Sequence, residues 1–538
     1  MLGRAAGAAR RLALAITVLG AGLAAIGSPR PLPPIVFVSR AVPTGAEAGQ
    51  IPGLGPHGTF AGAGGRLLER AADGDIRALL SDGRFFDVAD PAPSPDGRRV
   101  AFAARGRADD AWRIWEVERS GGTPRCLTCA SESPTDSQAR DASSRAGAGD
   151  ADPAWWGDTL LFVSTRGDSG SGVSGGALYD RSLVTQLFAR LPGGKIVQLT
   201  HEANGVLDPV PDGARRRLLF SRWWFNPWRP DPAGGTTRGA GVTGDSVNVW
   251  QVVSARLARD ARGTLVLADV RLASGGVLPR RRGMGVQPTP LPNGGVVAVA
   301  ARNTGLAPRP GELMLLRFAS PPSKGVRLAG AAIGDDAGDP YIESANLRAP
   351  AACAPAGLDD GRLVYSLDPG GRGDFGVWLL GAGPGSRTTV VDLPGTWELD
   401  AAPVPLPRAR PAPVPPRTPV LAADAATTRV AQGEFRYLAT DVFAGRGAAA
   451  RRDDARLRVY RLVGADSSEW IRTVPVPRSG RVDVFLPAET PLFELLTDST
   501  GRALPSAHGP TQVRGFNAGA RGTTSRCSGC HLGHSAQR

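Results

Sequence analysis

A short apolar phrase closing on Ser-Arg or Ala-Arg recurs along the chain: PIVFVSR (34–40), RVAFAAR (99–105), LLFVSTR (160–166), LLFSR (218–222), VVAVAAR (296–302) and, more loosely, RLVYSL (362–367). Each is bounded by Gly, Pro or Asp, as a strand buried on both faces should be. A second phrase follows each first one: GRLLER (65–70), WRIWEV (112–117), LVTQLF (183–188), VNVWQV (247–252), ELMLLRF (312–318) and GVWLL (376–380). Most of these lead through a glycine turn to a third apolar stretch, such as GKIVQLT or GVRLAG. Three short strands per unit, recurring at intervals of roughly 50 to 80 residues, point to a β-propeller and not to a sandwich.

A fourth strand precedes each unit. DPAPSPDGRRVAF from Asp90, DPAWWGDTLLF from Asp152 and DPVPDGARRRLLF from Asp208 introduce three of the first phrases with an Asp-Pro element and a turn. The last such element, DAAPVPLP from Asp400, has no strand after it, and the first strand, at Ile35, has no element before it. Joining the two closes a six-bladed ring and removes the free sheet edges that invite aggregation. The Asp-Pro elements read as turn and blade-joining devices, with no catalytic role.

Beyond Asp400 the composition changes. PVPLPRARPAPVPPRTP (403–419) reads as an extended, semi-rigid linker. RLRVYRLV (456–463), EWIRTVPV (469–476), RVDVFLP (481–487) and PLFELLTDSTGRAL (491–504) alternate apolar residues between Gly, Pro and Asp turns, as strands of a small β-sandwich do. The expected order is a signal peptide over 1–27, a propeller over 34–405, a linker over 406–419, a small β domain over 420–505 and a tail over 506–538.

That tail contains SRCSGCHLGHSAQR, and within it Cys527, Cys530 and His531 form C-S-G-C-H. The spacing is that of a c-type haem attachment site, in which both thiols add to the haem vinyl groups and the adjacent imidazole binds iron. A redox disulfide and part of a zinc site are the other readings; zinc needs four ligands, and only His534 is near in sequence. His534 is poorly placed for the opposite haem face, which leaves His508 as the candidate sixth ligand, its other reading being an exposed loop histidine. Cys126 and Cys129 form C-L-T-C, but Ala130 stands where a haem histidine would be needed; in an exported protein the expectation is a local disulfide, the other reading being a catalytic redox pair. Cys353 has no evident partner, and His57 and His201 read as loop residues. No phosphate loop, nucleophile elbow or paired-histidine protease motif is present.

The amino terminus agrees with the tail. Arg4, Arg10 and Arg11 form a positive n-region, Leu12 to Ile26 an apolar stretch, and the small residues near Gly27 a cleavage site, as in a secretory signal peptide. The alternative is an uncleaved anchor, although the apolar run is shorter than the roughly 20 residues a spanning helix needs. The protein is expected in the periplasm or otherwise exported, without stable membrane insertion once the signal is cut. The formal charge of +13 is carried almost wholly by arginine, Lys195 and Lys324 being the only lysines. The arginines are scattered, with no basic helix, so a nucleic-acid partner is not expected.

PSPDGRRVAF, GDTLLFVSTR and GKIVQLT resemble the repeats of TolB-type propellers. The succession DPVPDGARRRLLFSRWW, GVWLL, LDAAPVPLPRARPAPVPP, EWIRTVPVPRSGRVDVFLPAETPLFELLTDSTGRAL and then CxxCH resembles the hydrazine synthase α-subunit and its relatives. That resemblance implies a six-bladed propeller followed by a middle domain carrying a c-type haem. In the family a tyrosine ligand follows the motif, and a further domain holds a second haem. Here LGHSAQR follows, and Tyr460 is the last tyrosine, so one haem c is expected and no second. Three functions remain open: electron transfer with a redox partner or other cytochrome subunits, an enzyme subunit acting on small nitrogen compounds, and a propeller scaffold for protein interaction.

Overall fold

The computed structural model describes residues 30–44, 51, 64–129, 149–166, 178, 183–231, 233–239, 248–260, 262–273, 282–301, 313–318, 326–330, 350–371, 373–381, 387–406, 433–443, 451–504 and 519–527. Among these the protein is nearly all β, with one short 3-10 turn at Gly213–Arg215 and no α-helix. No helix among the described residues is long and apolar enough to cross a membrane.

Four sheets of four strands and one of eight hold residues 35–403. Each recurring phrase is the second strand of an antiparallel run. Arg99–Arg105 lies between Asp87–Pro93 and Arg113–Glu118, and Thr159–Ser164 between Asp150–Trp156 and Gln186–Arg190. The eight-stranded sheet is two such runs joined where Asn248 and Val249 pair in parallel with Arg282 and Gly283. One sheet is built from both ends of this region: Ile35–Ala41 pairs antiparallel with Thr396–Pro403 on one side and with Arg66–Arg70 on the other. Apolar side chains on both faces of the second strands explain their burial, which is complete for Ile35 to Val38 and for Val100 to Ala103.

The Ser-Arg ending of the phrase also has a structural cause. Ser164 Oγ donates to the Asp150 carboxylate, which Arg166 grips through two nitrogens. Ser39 Oγ donates to Glu398, and Arg40 pairs with Asp87 at 3.2 Å while donating to the Val88 carbonyl. Ser221 Oγ donates to Asp208, and Arg222 lies 3.9 Å from Glu202. The three serines, Arg40 and Arg222 are buried, and Arg166 is half-buried. They tie the end of the second strand to acids near the first strand, where an unpaired charge would cost several kcal/mol.

The first strands share a second device. A register shift in each places one non-glycine residue at positive φ: Asp90 at 52°, Asp152 at 49°, Asp208 at 53°, Gln287 at 48°, Ala354 at 46° and Asp400 at 55°. The bulge turns each backbone N–H toward the preceding unit's side chain. Asp152 N–H donates to Asp90 Oδ2 at 3.3 Å, and Asp208 N–H to Asp152 Oδ2 at 2.8 Å. Gln287 N–H donates to Asp208 Oδ2 and Ala354 N–H to Gln287 Oε1, both at 2.8 Å. The Asp400 carboxylate accepts from the Asp90 N–H. The left-handed conformation costs roughly 1–2 kcal/mol per residue, and a hydrogen bond contributes about 0.5–1.5 kcal/mol, rising to about 1.5–3 kcal/mol where the acceptor is ionised. The acceptor therefore sustains the strained backbone. Ala354 has no side-chain oxygen, so the run of side-chain acceptors stops there.

Bringing four carboxylates together raises their pKa values. Burial is the largest cause for all four, and the neighbouring aspartates add repulsion to Asp152, Asp208 and Asp400. Asp208 and Asp400 are each pushed up to about 7, with Arg40 offsetting part of the rise at Asp90 and Asp400. A folded pKa above the unfolded one means that the native state holds the proton more tightly. This contribution to stability is full below about pH 4 and is lost as pH rises through 7. Asp208→Asn keeps an acceptor for the Gln287 amide without the charge. It is expected to leave Tm near the parent value at pH 5 and to raise it by about 2–4 °C at pH 8. Equal destabilisation at both pH values would show that the clustered carboxylates are not proton-linked to folding.

Candidate functional site

The small domain is two three-stranded sheets. Ser467–Pro475, Arg456–Gly464 and Leu492–Thr497 form one, and Val482–Pro487, Glu434–Ala439 and Thr524–Cys527 the other. Phe435, Tyr437, Leu457, Val459, Leu486 and Leu496 pack between them. Glu434–Ala439 and Thr524–Cys527 were not among the strands marked by the alternating phrases.

Thr524–Cys527 is the edge strand that delivers the haem-type motif. It runs parallel to Glu434–Ala439, with Arg436 opposite Thr524 and Ala439 opposite Cys527. Its approach is held from several sides. Arg436 N–H donates to the Thr523 carbonyl at 2.9 Å, Gly522 N–H to the Glu434 carbonyl at 3.0 Å, and Arg521 pairs with Glu489 at 2.7 Å. A side chain at Gly519 would overlap the Phe435 ring, so the close approach there requires glycine. Cys527 is thus placed by backbone pairing inside the small domain's sheet. Cys530, His531, His534 and His508 lie outside the described residues.

The donor set suits covalent haem: two thiols three residues apart, the first at a strand end, with an imidazole next to the second. Among the described residues no group of three or more His, Cys, Asp or Glu could hold a metal ion. Cys126 and Cys129 are joined as a disulfide beside Arg125–Cys126, the last strand of its sheet, which removes both from thiol chemistry. Cys353 is a free, buried thiol whose pKa is pushed well up by burial and by Asp400. A thiol so held is protonated and inert. His201 is half-buried, with its Nδ1 3.3 Å from Gln198 Nε2. His57 is outside the described residues.

The strand bearing Cys527 also touches the large β region. It lies beside Leu265–Leu272, the outer strand of the run that begins at Val206. Ala520 packs against Ala258, Val266 and Ala268 of that run. The same run holds the small domain a second time through aromatic rings. Phe493 stacks between Trp228 at 5.8 Å and Tyr460 at 5.1 Å, centroid to centroid. Arg238 Nε donates to the Ala465 carbonyl at 3.1 Å and lies 3.4 Å from Asp466. Trp228 and Arg238 sit on a hairpin, Trp228–Pro230 with Thr236–Arg238, that the strand phrases gave no hint of. Phe493→Ala removes the central ring and is expected to cost about 3–5 kcal/mol. A denaturant titration followed by tryptophan fluorescence should then show the small domain unfolding ahead of the rest. A single transition with a loss under about 1 kcal/mol would show that the stack does not hold the two parts together.

No protein-family model and no curated protein matches this chain. Solved structures do resemble it. Hydrazine synthase from Kuenenia stuttgartiensis overlays 93% of this chain and 69% of its own, with a TM-score of 0.61 and 15% identity. TolB from Acinetobacter baumannii covers 72% of this chain and 70% of its own, with a TM-score of 0.41 and 13% identity. At 15% identity the likeness to the hydrazine synthase chain is one of fold, and it extends over the propeller-like region and the small domain together.

Proposed function

We propose that this chain is an exported monohaem c-type cytochrome that passes electrons to or from a partner redox protein. The sheets of residues 35–403 are read as six propeller blades, and the small domain as the haem carrier. Cys527 and Cys530 would form the thioether bonds and His531 would bind the iron, with His508 as the candidate for the opposite face. The observation that carries the reading is the CxxCH motif with its first cysteine at the end of a hydrogen-bonded edge strand. Bound haem would supply an iron centre that takes up and gives up one electron. The chain's own part is to fix Cys527 by strand pairing, to hold the imidazole beside Cys530, and to tie the small domain to the propeller through Phe493. The amino-terminal leader over 1–27 supports delivery to the periplasm, where such thiols can be loaded.

The fold shared with hydrazine synthase favours a second reading, a haem enzyme or subunit acting on small nitrogen compounds at an open iron. Two measurements divide these readings. Expression with a cytochrome c maturation system should give haem that survives denaturing electrophoresis and vanishes in Cys527→Ala. Absence of covalent haem in the parent chain would remove both haem readings and leave the propeller scaffold. In the haem-loaded protein a low-spin spectrum that turns high-spin in His508→Ala supports electron transfer. A parent protein already high-spin, binding nitric oxide, supports the enzyme.

A further inference from the structure

We propose that Arg222, Trp224 and Gln251 form a binding site for a small carboxylate that carries a hydroxyl beside it, a 2-hydroxy acid. The proposal does not use the haem motif and rests on the strand Arg217–Phe225 and its partner Asn248–Arg259. Arg222 belongs with Arg40, Arg105 and Arg166, the arginines that close the other second strands. Each of those three donates a hydrogen bond within the protein: Arg40 to the Val88 carbonyl, Arg105 to the Ala108 carbonyl and Arg166 to the Asp150 carboxylate. Arg222 differs. It is 5% exposed, its Nε and Nη2 have no partner in the protein, and its Nη1 lies 3.9 Å from Glu202 Oε1, beyond hydrogen-bond distance.

The register supplies the reason. Asp150 stands opposite Ser164 and Glu398 opposite Ser39, each acid two residues before the positive-φ residue of its strand. The equivalent position in this unit is Val206, two residues before Asp208, and it faces Arg222. A valine thus replaces the acid, and a cation replaces the serine. A guanidinium removed from water calls for an anion with matched hydrogen bonds. Nε and Nη2 share one edge of the group, and their N–H bonds leave it in parallel, the fork that a planar carboxylate meets with both oxygens. The Trp224 ring, 4.7 Å from the guanidinium carbon, holds the plane of that fork. Gln251 is directly opposite Arg222 across the ladder, where paired Cβ atoms stand about 4.5–5.5 Å apart. It is 4% exposed, and its Oε1 has no donor in the protein. Two orphaned donors beside one orphaned acceptor match a carboxylate with an adjacent hydroxyl, which donates to Gln251. Glu202 competes only weakly for the guanidinium, because burial raises its pKa against the pull of Arg222.

The test is titration of the full-length chain with glycolate and with acetate, followed by calorimetry and by Tm. The net charge of +13 attracts anions generally, so about 0.15 M chloride is present throughout. Glycolate should bind the parent protein at least threefold more tightly than acetate, and Gln251→Met should erase that preference. Arg222→Lys keeps the charge without the fork and should weaken glycolate binding at least tenfold. Glu202→Gln removes the competing charge and should tighten it at least threefold. Neither heat nor a rise in Tm with up to about 20 mM glycolate overturns the proposal and leaves water as the partner of Arg222. Glycolate binding that Arg222→Lys does not change marks an adventitious anion on the basic surface and overturns it as well. Equal affinity of the parent for glycolate and acetate also overturns it. If Arg222→Lys fails to fold, Glu202→Gln decides, and unchanged or weaker glycolate binding there overturns the proposal. Covalent haem is measured separately, so either reading can fail while the other stands.

Discussion

The hydrogen bond between one unit's strained amide and its neighbour's carboxylate sets the geometry of the large β region. A first strand without its bulge would leave Asp152 or Asp208 at ordinary φ, with its N–H aimed along its own sheet. With the bulge, that amide crosses to the next unit, and the same residue's carboxylate receives the amide after it. Each aspartate thus serves as donor through its backbone and as acceptor through its side chain. Asp and Asn are among the few non-glycine residues that enter the left-handed region at modest cost, which is why aspartate serves where a glycine would supply no acceptor.

Some of this arrangement could be read from the residues, and the reasons are local. The second strands announce themselves because they are apolar on both faces and most close on a Ser-Arg, Ser-Thr-Arg or Ala-Arg ending. The joining of the amino-terminal strand to the segment near Asp400 followed from one unit lacking its first strand and another lacking its second. Where Gln287 and Ala354 replace aspartate, the Asp-Pro signal disappears, although the bulge and the left-handed backbone persist. The disulfide at Cys126 and Cys129 was readable from their spacing, the missing histidine and the oxidising surroundings expected of an exported chain. What stayed hidden depends on contacts between distant segments. Glu434–Ala439 is a short strand whose identity comes from its partners Val482–Pro487 and Thr524–Cys527. The rise in the carboxylate pKa values comes first from burial, with repulsion among residues spread over more than three hundred positions added at Asp152, Asp208 and Asp400, and no single one of them shows it.

The candidate site follows the same division. Cys527, Cys530 and His531 stand out as a candidate because covalent haem attachment would demand this fixed local spacing, and of the three only Cys527 lies among the described residues. The surroundings of Cys527 do not stand out, because they are built from two parts of the chain. The seam at Ala520 uses small apolar side chains, and Ala258, Val266 and Ala268 look like any outward face of a strand until Ala520 covers them. The Phe493 stack uses Trp228, which the run RWWFNPW supplies, yet nothing in that run says that the receiving ring lies far along the chain. Among the described residues, both contacts come from the run that starts at Val206.

The pairing of Ile35–Ala41 with Thr396–Pro403 governs the order in which the molecule can be assembled. Of the described strands, the first to be synthesised is a second strand, and the strand that must lie beside it is made last of that region. Until the ribosome has passed Pro403, Ile35–Ala41 can bond Arg66–Arg70 on one side only, and its other edge stays open to any strand in reach. The large region therefore cannot complete itself domain-first from the amino terminus, and a nascent chain arrested before that point would present an unprotected β edge to its neighbours.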